Sequence, residues 1–129
     1  MIAALLLLAA APEPKLDCAD PQDQSSMNMC AQRDYERADT EMNAQYRLAT
    51  ATMRAADKEV DRASDSQPLY YDTLVAAQRA WLTFRDQTCL LESFEARGGS
   101  MQPMLDSGCK AQLTRERTKQ LKSMVEVKN

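Results

Sequence analysis

The sequence has no histidine, only three glycines and few aromatic residues, with one tryptophan, four tyrosines and two phenylalanines among 129 residues. Without histidine, the common hydrolytic triads lose their general base. Zinc binding is also disfavoured, because there is neither a histidine nor a CxxC pair. Scarce glycines disfavour a β-sandwich or barrel, which needs frequent turns. No glycine-rich loop that could hold a phosphate is present. The absences therefore favour a protein that binds over one that catalyses.

What is abundant is helix formers, and they predict an all-α fold: a small bundle of about three main helices with short irregular connections. The first helix is expected to begin after an N-cap at Ser25 or Ser26, and the second between Leu69 and Asp72. The third is expected to begin near residues 107–109, after a loop of Gly, Ser and Pro. The predicted inward positions of the first helix are Tyr35, Ala38, Met42, Tyr46, Ala49, Met53, Ala56 and Val60. Those of the second are Leu74, Ala77, Trp81, Phe84, Thr88 and Leu91.

The amino terminus predicts export. Residues 1–11 end in small residues after a short apolar run, which is typical of a cleaved signal peptide and too short to span a bilayer. We expect residues 12–24 to form a polar lead-in, residues 25–125 a single helical domain and residues 126–129 a tail. Attachment of a lipid at Cys18 is disfavoured, because Lys15, Leu16 and Asp17 precede it instead of small or aliphatic residues. The mature chain is therefore expected to lie in the periplasm or outside the cell, with no membrane span.

The even number of cysteines predicts two disulfides in an exported chain of this size. The four cysteines are Cys18, Cys30, Cys89 and Cys109. Three pairings are compatible with the sequence. We prefer Cys18–Cys30 with Cys89–Cys109, because each then closes a short local loop.

The remaining chemistry predicts no catalytic, cofactor-binding or metal-binding residue and no enzyme activity. Nucleic-acid binding is disfavoured by the net charge of −3 and by the lack of aromatics among the basic residues. A carboxylate-dependent glycan hydrolase is the least favoured alternative, since no Asp or Glu lies in an apolar run that would raise its pKa. A protein partner is therefore expected.

Helical spacing also predicts a polar network between the three helices. Arg85 follows Trp81 by one turn and precedes Cys89 by another, so it lies at the edge of a buried stripe. A partly buried guanidinium needs an acceptor, and we expect Asp39 and Asn43 to face Arg85, Arg117 or both. The predicted polar seam comprises Asp39, Asn43, Tyr46, Gln78, Trp81, Arg85 and Arg117. We expect it to set the register of the helices, with a ligand site as the alternative.

Several stretches together resemble the LprI lysozyme-inhibitor family, in its N-terminal domain. They are MNMCAQRDYERADTEMNAQY, AQRAWLTFRDQTC, GGSM and CKAQLTRERTKQL, and the resemblance covers roughly residues 17–121. The positions that match the family's pattern are Cys30, Asp39, Asn43, Tyr46, Gln78, Trp81, Arg85, Asp86, Cys89, Gly98, Gly99, Cys109, Arg117 and Leu121. The resemblance implies a helical, exported protein.

Lysozyme inhibition is the activity that the resemblance implies, with a lysozyme as the protein partner. Animal lysozymes are basic and have an acidic cleft, so an acidic inhibitor would be steered toward them. Occluding the cleft needs a protruding element, and a flexible loop at RGGSMQPM is the best candidate. The predicted partner-binding residues are Arg97, Gly98, Gly99, Ser100 and Met101. Two alternatives are a structural loop whose methionines pack into the core, and an envelope interaction module with another protein partner.

Overall fold

The computed structural model describes residues 15–128, and three long helices account for most of them. Helix α1 spans Gln24–Asp57, α2 spans Tyr70–Ser93 and α3 spans Gln102–Lys128, with a short 3₁₀ turn at Phe94–Ala96. The described residues contain no strand, so the all-α prediction is confirmed. The signal peptide predicted for residues 1–11 lies outside the described residues.

Helices α1 and α3 run in the same direction, and α2 runs against them. Their amino-terminal ends are joined by side-chain hydrogen bonds, as Gln32 accepts from Ser107 at 3.1 Å and Asn28 donates to the Ser100 carbonyl at 2.8 Å. The carboxyl end of α2 lies at the same end of the bundle, because Cys89 on α2 is bonded to Cys109 on α3.

Both predicted disulfides are confirmed. Cys18 is bonded to Cys30, and Cys89 to Cys109. The first ties the lead-in to the second turn of α1, and the second joins α2 to α3. Together with the lead-in 15–23 and the turn 97–101, they form one end of the bundle, which we name the stapled end.

Two aspartate side chains cap the first turns of α1 and α2. Asp23, not Ser25 or Ser26, is the N-cap of α1, and it accepts the Ser26 N–H at 2.7 Å. Helix α2 has no capping side chain of its own at Leu69. Instead, Asp57 at the end of α1 accepts the Tyr70 N–H at 2.7 Å and the Tyr71 N–H at 3.1 Å. One carboxylate therefore fixes the position of α2 relative to α1.

The predicted start of α3 at residues 107–109 is wrong, because the helix begins at Gln102. Pro103 and Gly108 predicted a loop, yet both lie inside the helix. Pro103 is its second residue, where a missing N–H breaks no helical hydrogen bond. The stretch RGGSMQPM is therefore a short turn followed by helix.

The hydrophobic core lies between the three helices. Its buried members are Met42, Ala49, Met53, Leu74 and Leu121. The inward stripe predicted for α1 is largely confirmed, since Ala38, Met42, Ala49 and Met53 are buried. The stripe predicted for α2 is partly wrong, because the buried residues there are Leu74, Gln78, Arg85, Cys89 and Ser93. Phe84 is 58% exposed and Leu91 is 69% exposed. Gln78 and Arg85 on α2 therefore point inward, whereas Phe84 and Leu91 point outward.

No helix within residues 15–128 has the length and hydropathy of a membrane span.

Candidate functional site

Arg85 is the centre of the polar seam and is buried, with 5% of its surface exposed. Its Nη1 donates to Asp39 Oδ1 at 3.1 Å and to Thr114 Oγ1 at 3.3 Å, and its Nε donates to Asp86 Oδ1 at 2.9 Å. The residue thus joins α1, α2 and α3 through one guanidinium. Of the contacts predicted for Asp39 and Asn43, the one between Asp39 and Arg85 is present, whereas Asn43 donates to Asp39.

Electrostatics keep Arg85 charged despite its burial. Burial alone would lower the pKa of Arg85, but the hydrogen bond and charge of Asp86, with contributions from Tyr35 and Asp39, raise it above its ordinary value. The ring of Tyr35 lies 5.2 Å from the guanidinium carbon, in a cation–π arrangement. Burial raises the pKa of the Tyr35 hydroxyl, although Arg85 acts in the opposite direction.

Arg117 is the second buried arginine, and its partners are neutral. Its Nε donates to Gln78 Oε1 at 2.9 Å and its Nη1 to Gln120 Oε1 at 3.1 Å. Its Nη2 is buried and has no acceptor in the described part of the chain. Burial lowers the pKa of Arg117 below its ordinary value. The two arginines are therefore not equivalent, because only Arg85 has carboxylate partners among the described residues.

Trp81 connects the two guanidinium groups. Its ring lies 5.3 Å from the guanidinium carbon of Arg85 and 5.7 Å from that of Arg117. Gln78 completes the seam, since it accepts from Arg117 and its Nε2 donates to Met42 Sδ at 3.6 Å. Both the oxygen and the nitrogen of this buried amide therefore have a hydrogen-bond partner.

The remaining predicted seam residues, Asn43 and Tyr46, contribute less to the contacts of the two arginines. Asn43 is exposed and donates to Asp39 Oδ2 at 3.1 Å, so it orients the carboxylate without reaching an arginine. Tyr46 is half-buried and packs against the core, and its charge interaction acts to raise the pKa of Arg117. Sequence reasoning missed Thr114, which is fully buried. Its position three residues before Arg117, on the same helical face, was the signal available.

The seam does not border the best-defined surface grooves. Arg85, Arg117 and Trp81 line none of the four such grooves among the described residues. No group of three or more Cys, Asp or Glu residues in the described range is placed to hold a metal ion. This geometry favours the structural interpretation of the seam over a ligand site.

The turn at residues 97–101 contains the predicted partner-binding residues and is held from several sides. Gly98 has a φ of +77°, which favours glycine, and its N–H donates to Gln102 Oε1 at 2.9 Å. The Gly99 N–H donates to the Ala96 carbonyl at 2.8 Å. A Cβ at Gly99 would lie only 3.2 Å from that oxygen. Hydrogen bonds from the N–H groups of Gly98 and Gly99 therefore hold the stretch that was predicted as a loop in this turn.

The side chains of this turn remain accessible. Arg97 is exposed, and its guanidinium carbon lies 4.3 Å from the centre of the Phe94 ring. Ser100 is exposed, and Met101 is 40% exposed. Met101 does not pack into the core, whereas Met104 is half-buried and accepts from Gln24 at 3.7 Å. The structural alternative, in which both methionines pack into the core, is therefore wrong for Met101.

Shallow grooves and acidic residues surround the turn. A groove of about 330 Å³ lies beside it, lined by Leu90, Ser93, Gly98, Gly99, Gln102, Pro103 and Asp106. A second groove of about 400 Å³ lies on the other side of Pro103, between α1 and α3. The neighbouring lead-in presents Asp17, Asp20 and Asp23. The stapled end therefore combines an accessible turn with a lead-in that carries three aspartates and one lysine, Lys15.

Comparison with known proteins identifies the family of this chain. Residues 18–121 match the family model described as "Lysozyme inhibitor LprI". An uncharacterized protein of Rhizobium meliloti (strain 1021) is 48% identical over 126 residues, covering 95% of this chain and 91% of the relative. No solved structure matches. The two disulfides are consistent with export, since such bonds persist in oxidising compartments. Because the match spans both disulfides, the seam and the turn, the chain belongs to the LprI lysozyme inhibitor family.

Proposed function

We propose that this protein is an exported, non-enzymatic inhibitor that binds a lysozyme, and that the stapled end occupies the lysozyme cleft. The observation that carries the proposal is the exposed turn 97–101, which is anchored by hydrogen bonds from the Gly98 N–H to Gln102 and from Asn28 to the Ser100 carbonyl. An anchored loop loses little conformational entropy on binding, so its contacts contribute more fully to affinity.

Arg97 is the residue that we expect to address the cleft. A lysozyme cleft carries catalytic carboxylates, and an arginine can bind a carboxylate through two hydrogen bonds. Stacking on Phe94 holds the guanidinium at the surface while leaving its edge accessible. Ser100 and Met101 would then fill the cleft beside it.

Long-range charge would bring the two proteins together. The chain has a net charge of −3, and the lead-in next to the turn contributes three aspartates. Because animal lysozymes are basic, opposite charge would raise the association rate, and salt would reduce it. Association is thus attributed to the aspartates of the lead-in, and cleft recognition to Arg97.

The experiment titrates the mature protein into a lysozyme and measures lysis of peptidoglycan. We expect inhibition by the wild type, a half-inhibitory concentration at least about tenfold higher for Arg97→Ala, and weaker inhibition at higher salt. Arg47→Ala, on the exposed middle of α1, is the matched control and should inhibit as the wild type does. Full lytic activity at micromolar excess of the wild type would contradict the proposal, and so would lysis by this protein alone.

A further inference from the structure

The outer face of α2 is uncharged where a solvent-facing helix normally carries charge. We define this face by its exposed apolar residues Ala76, Ala77, Ala80, Phe84, Leu90 and Leu91, alongside which the neutral polar residues Thr73, Thr83 and Gln87 are also exposed. Phe84 is 58% exposed, Leu91 is 69% exposed and Leu90 is 42% exposed. Between residues 73 and 91 the charged residues are Arg85, which points inward, and Arg79 and Asp86. The last two are seven residues apart and so lie on one edge of the face. An uncharged exposed strip of this length is typical of an interaction surface.

Side-chain size changes along this face. Beyond Tyr70, which is 42% exposed at the first position of α2, the half toward the start of the helix carries small side chains at Ala76, Ala77 and Ala80. The half toward its end carries the large side chains Phe84, Leu90 and Leu91. One half is therefore recessed, and the other half protrudes.

A groove deepens the recessed half. It has a volume of about 550 Å³ and lies beside Thr73 and Ala77. Leu74, Met53 and Met124 also line it, and these residues belong to or border the hydrophobic core. An apolar side chain placed over Ala77 would reach this groove.

We propose that the outer face of α2 binds the same face of a second copy of the chain, antiparallel, around a two-fold axis near Phe84. Such a contact uses one patch twice and so must be self-complementary. Ala77 and Leu91 are each seven residues from Phe84, so Leu91 of the second copy lies opposite Ala77 and its groove. The protruding half of each copy thereby fills the recessed half of the other. A parallel arrangement would place large residues on large and small on small.

The charges at the edge favour the same orientation. Around this axis, Arg79 lies within one helical turn of Asp86 of the second copy, and the symmetric pair forms as well. Asp86 uses one oxygen for Arg85 and is half exposed, so its other oxygen faces outward. Parallel pairing around a two-fold axis would instead place the charged edges of the two copies on opposite sides of the contact, where Arg79 and Asp86 do not meet. The contact runs along one helix and is small, so a weak dimer is expected.

Sedimentation velocity of the mature protein from low to high micromolar concentration tests the proposal. We expect the mass to rise toward twice the chain mass, and Leu91→Glu to weaken association at least about tenfold. Leu48→Glu is the matched control, since Leu48 is 58% exposed on α1. A monomer over the whole range would overturn the proposal, and so would equal weakening by both variants.

Oxidative cross-linking tests the orientation. Phe84→Cys should link to itself, because the residue lies near the axis. Leu91→Cys should link to Ala77→Cys in a mixture of the two variants but not to itself. Self-linking of Leu91→Cys would overturn the antiparallel arrangement. The two stapled ends lie at opposite ends of this dimer, so its absence would leave lysozyme binding untouched.

Discussion

Removing both carboxylates from Arg85 should destabilise the protein more than the two single changes together. The guanidinium side chain is 6% exposed and has two anionic partners, Asp39 at 3.1 Å and Asp86 at 2.9 Å. After Asp39→Ala or Asp86→Ala, one carboxylate still compensates the charge. After both changes, only the neutral hydroxyl of Thr114 remains at 3.3 Å.

The exposure of the two carboxylate side chains determines how much unfolding free energy each variant should lose. The two carboxylate side chains are 33% and 49% exposed, so each single variant should lower the free energy of unfolding by about 1 kcal/mol. An unpaired buried charge costs about 3–5 kcal/mol. The double variant should therefore lose about 3–5 kcal/mol, which exceeds the sum of the single losses by at least about 1 kcal/mol.

Urea denaturation followed by the fluorescence of Trp81 measures this coupling. Trp81 is the only tryptophan and lies 5.3 Å from the Arg85 guanidinium carbon, so its emission reports on the seam. The helix-propensity gain of alanine is additive and cancels in the cycle. A coupling below about 0.5 kcal/mol would refute the reasoning, because it would mean that water solvates the guanidinium as well as a carboxylate does.

Three further changes test other parts of the structure. Gln78→Leu removes the acceptor of Arg117 Nε and should lower the free energy of unfolding by about 1–3 kcal/mol in the same urea assay; an unchanged midpoint would contradict this. Burial raises the pKa of Tyr35 above its ordinary value. The stability that the neutral Tyr35 hydroxyl contributes is therefore present below the unfolded-state pKa of about 10, and it is lost as the pH rises through the folded-state pKa. Tyr35→Phe should therefore flatten the alkaline fall in melting temperature, and an identical fall in both proteins would count against it. Replacing Cys89 and Cys109 together by serine opens a 20-residue loop and should lower the free energy of unfolding by about 3 kcal/mol; a loss below about 1 kcal/mol would show that the helices hold the stapled end without the bond.

The number of helices and the disulfide pairing could be predicted from the sequence, because both depend on local signals. Apolar residues at steps of three and four identify α1 even though its N-cap is Asp23 and not a serine. The two disulfides close loops of 12 and 20 residues, and short loops are the easiest to infer from spacing. The start of α3 could not be predicted from the sequence, because Pro103 is compatible both with a loop and with the first turn of a helix.

The inward face of α2 could not be predicted from hydrophobicity. Gln78 and Arg85 are buried there because partners on the other two helices satisfy them, and those partners are distant in the sequence. Phe84 and Leu91 are exposed, which contradicts the assumption that the most apolar residues face the core. The exposed residues instead mark the face that we assign to a second copy.

Inhibition of a lysozyme by the mature protein tests the central claim most directly. Lysis of peptidoglycan is measured against increasing concentrations of wild type, Arg97→Ala and Arg47→Ala. The account predicts that the wild type and Arg47→Ala inhibit equally, and that Arg97→Ala needs at least about tenfold more protein. Undiminished lysis at micromolar excess of the wild type, or equal inhibition by Arg97→Ala, would contradict the assignment of the stapled end as the inhibitory surface.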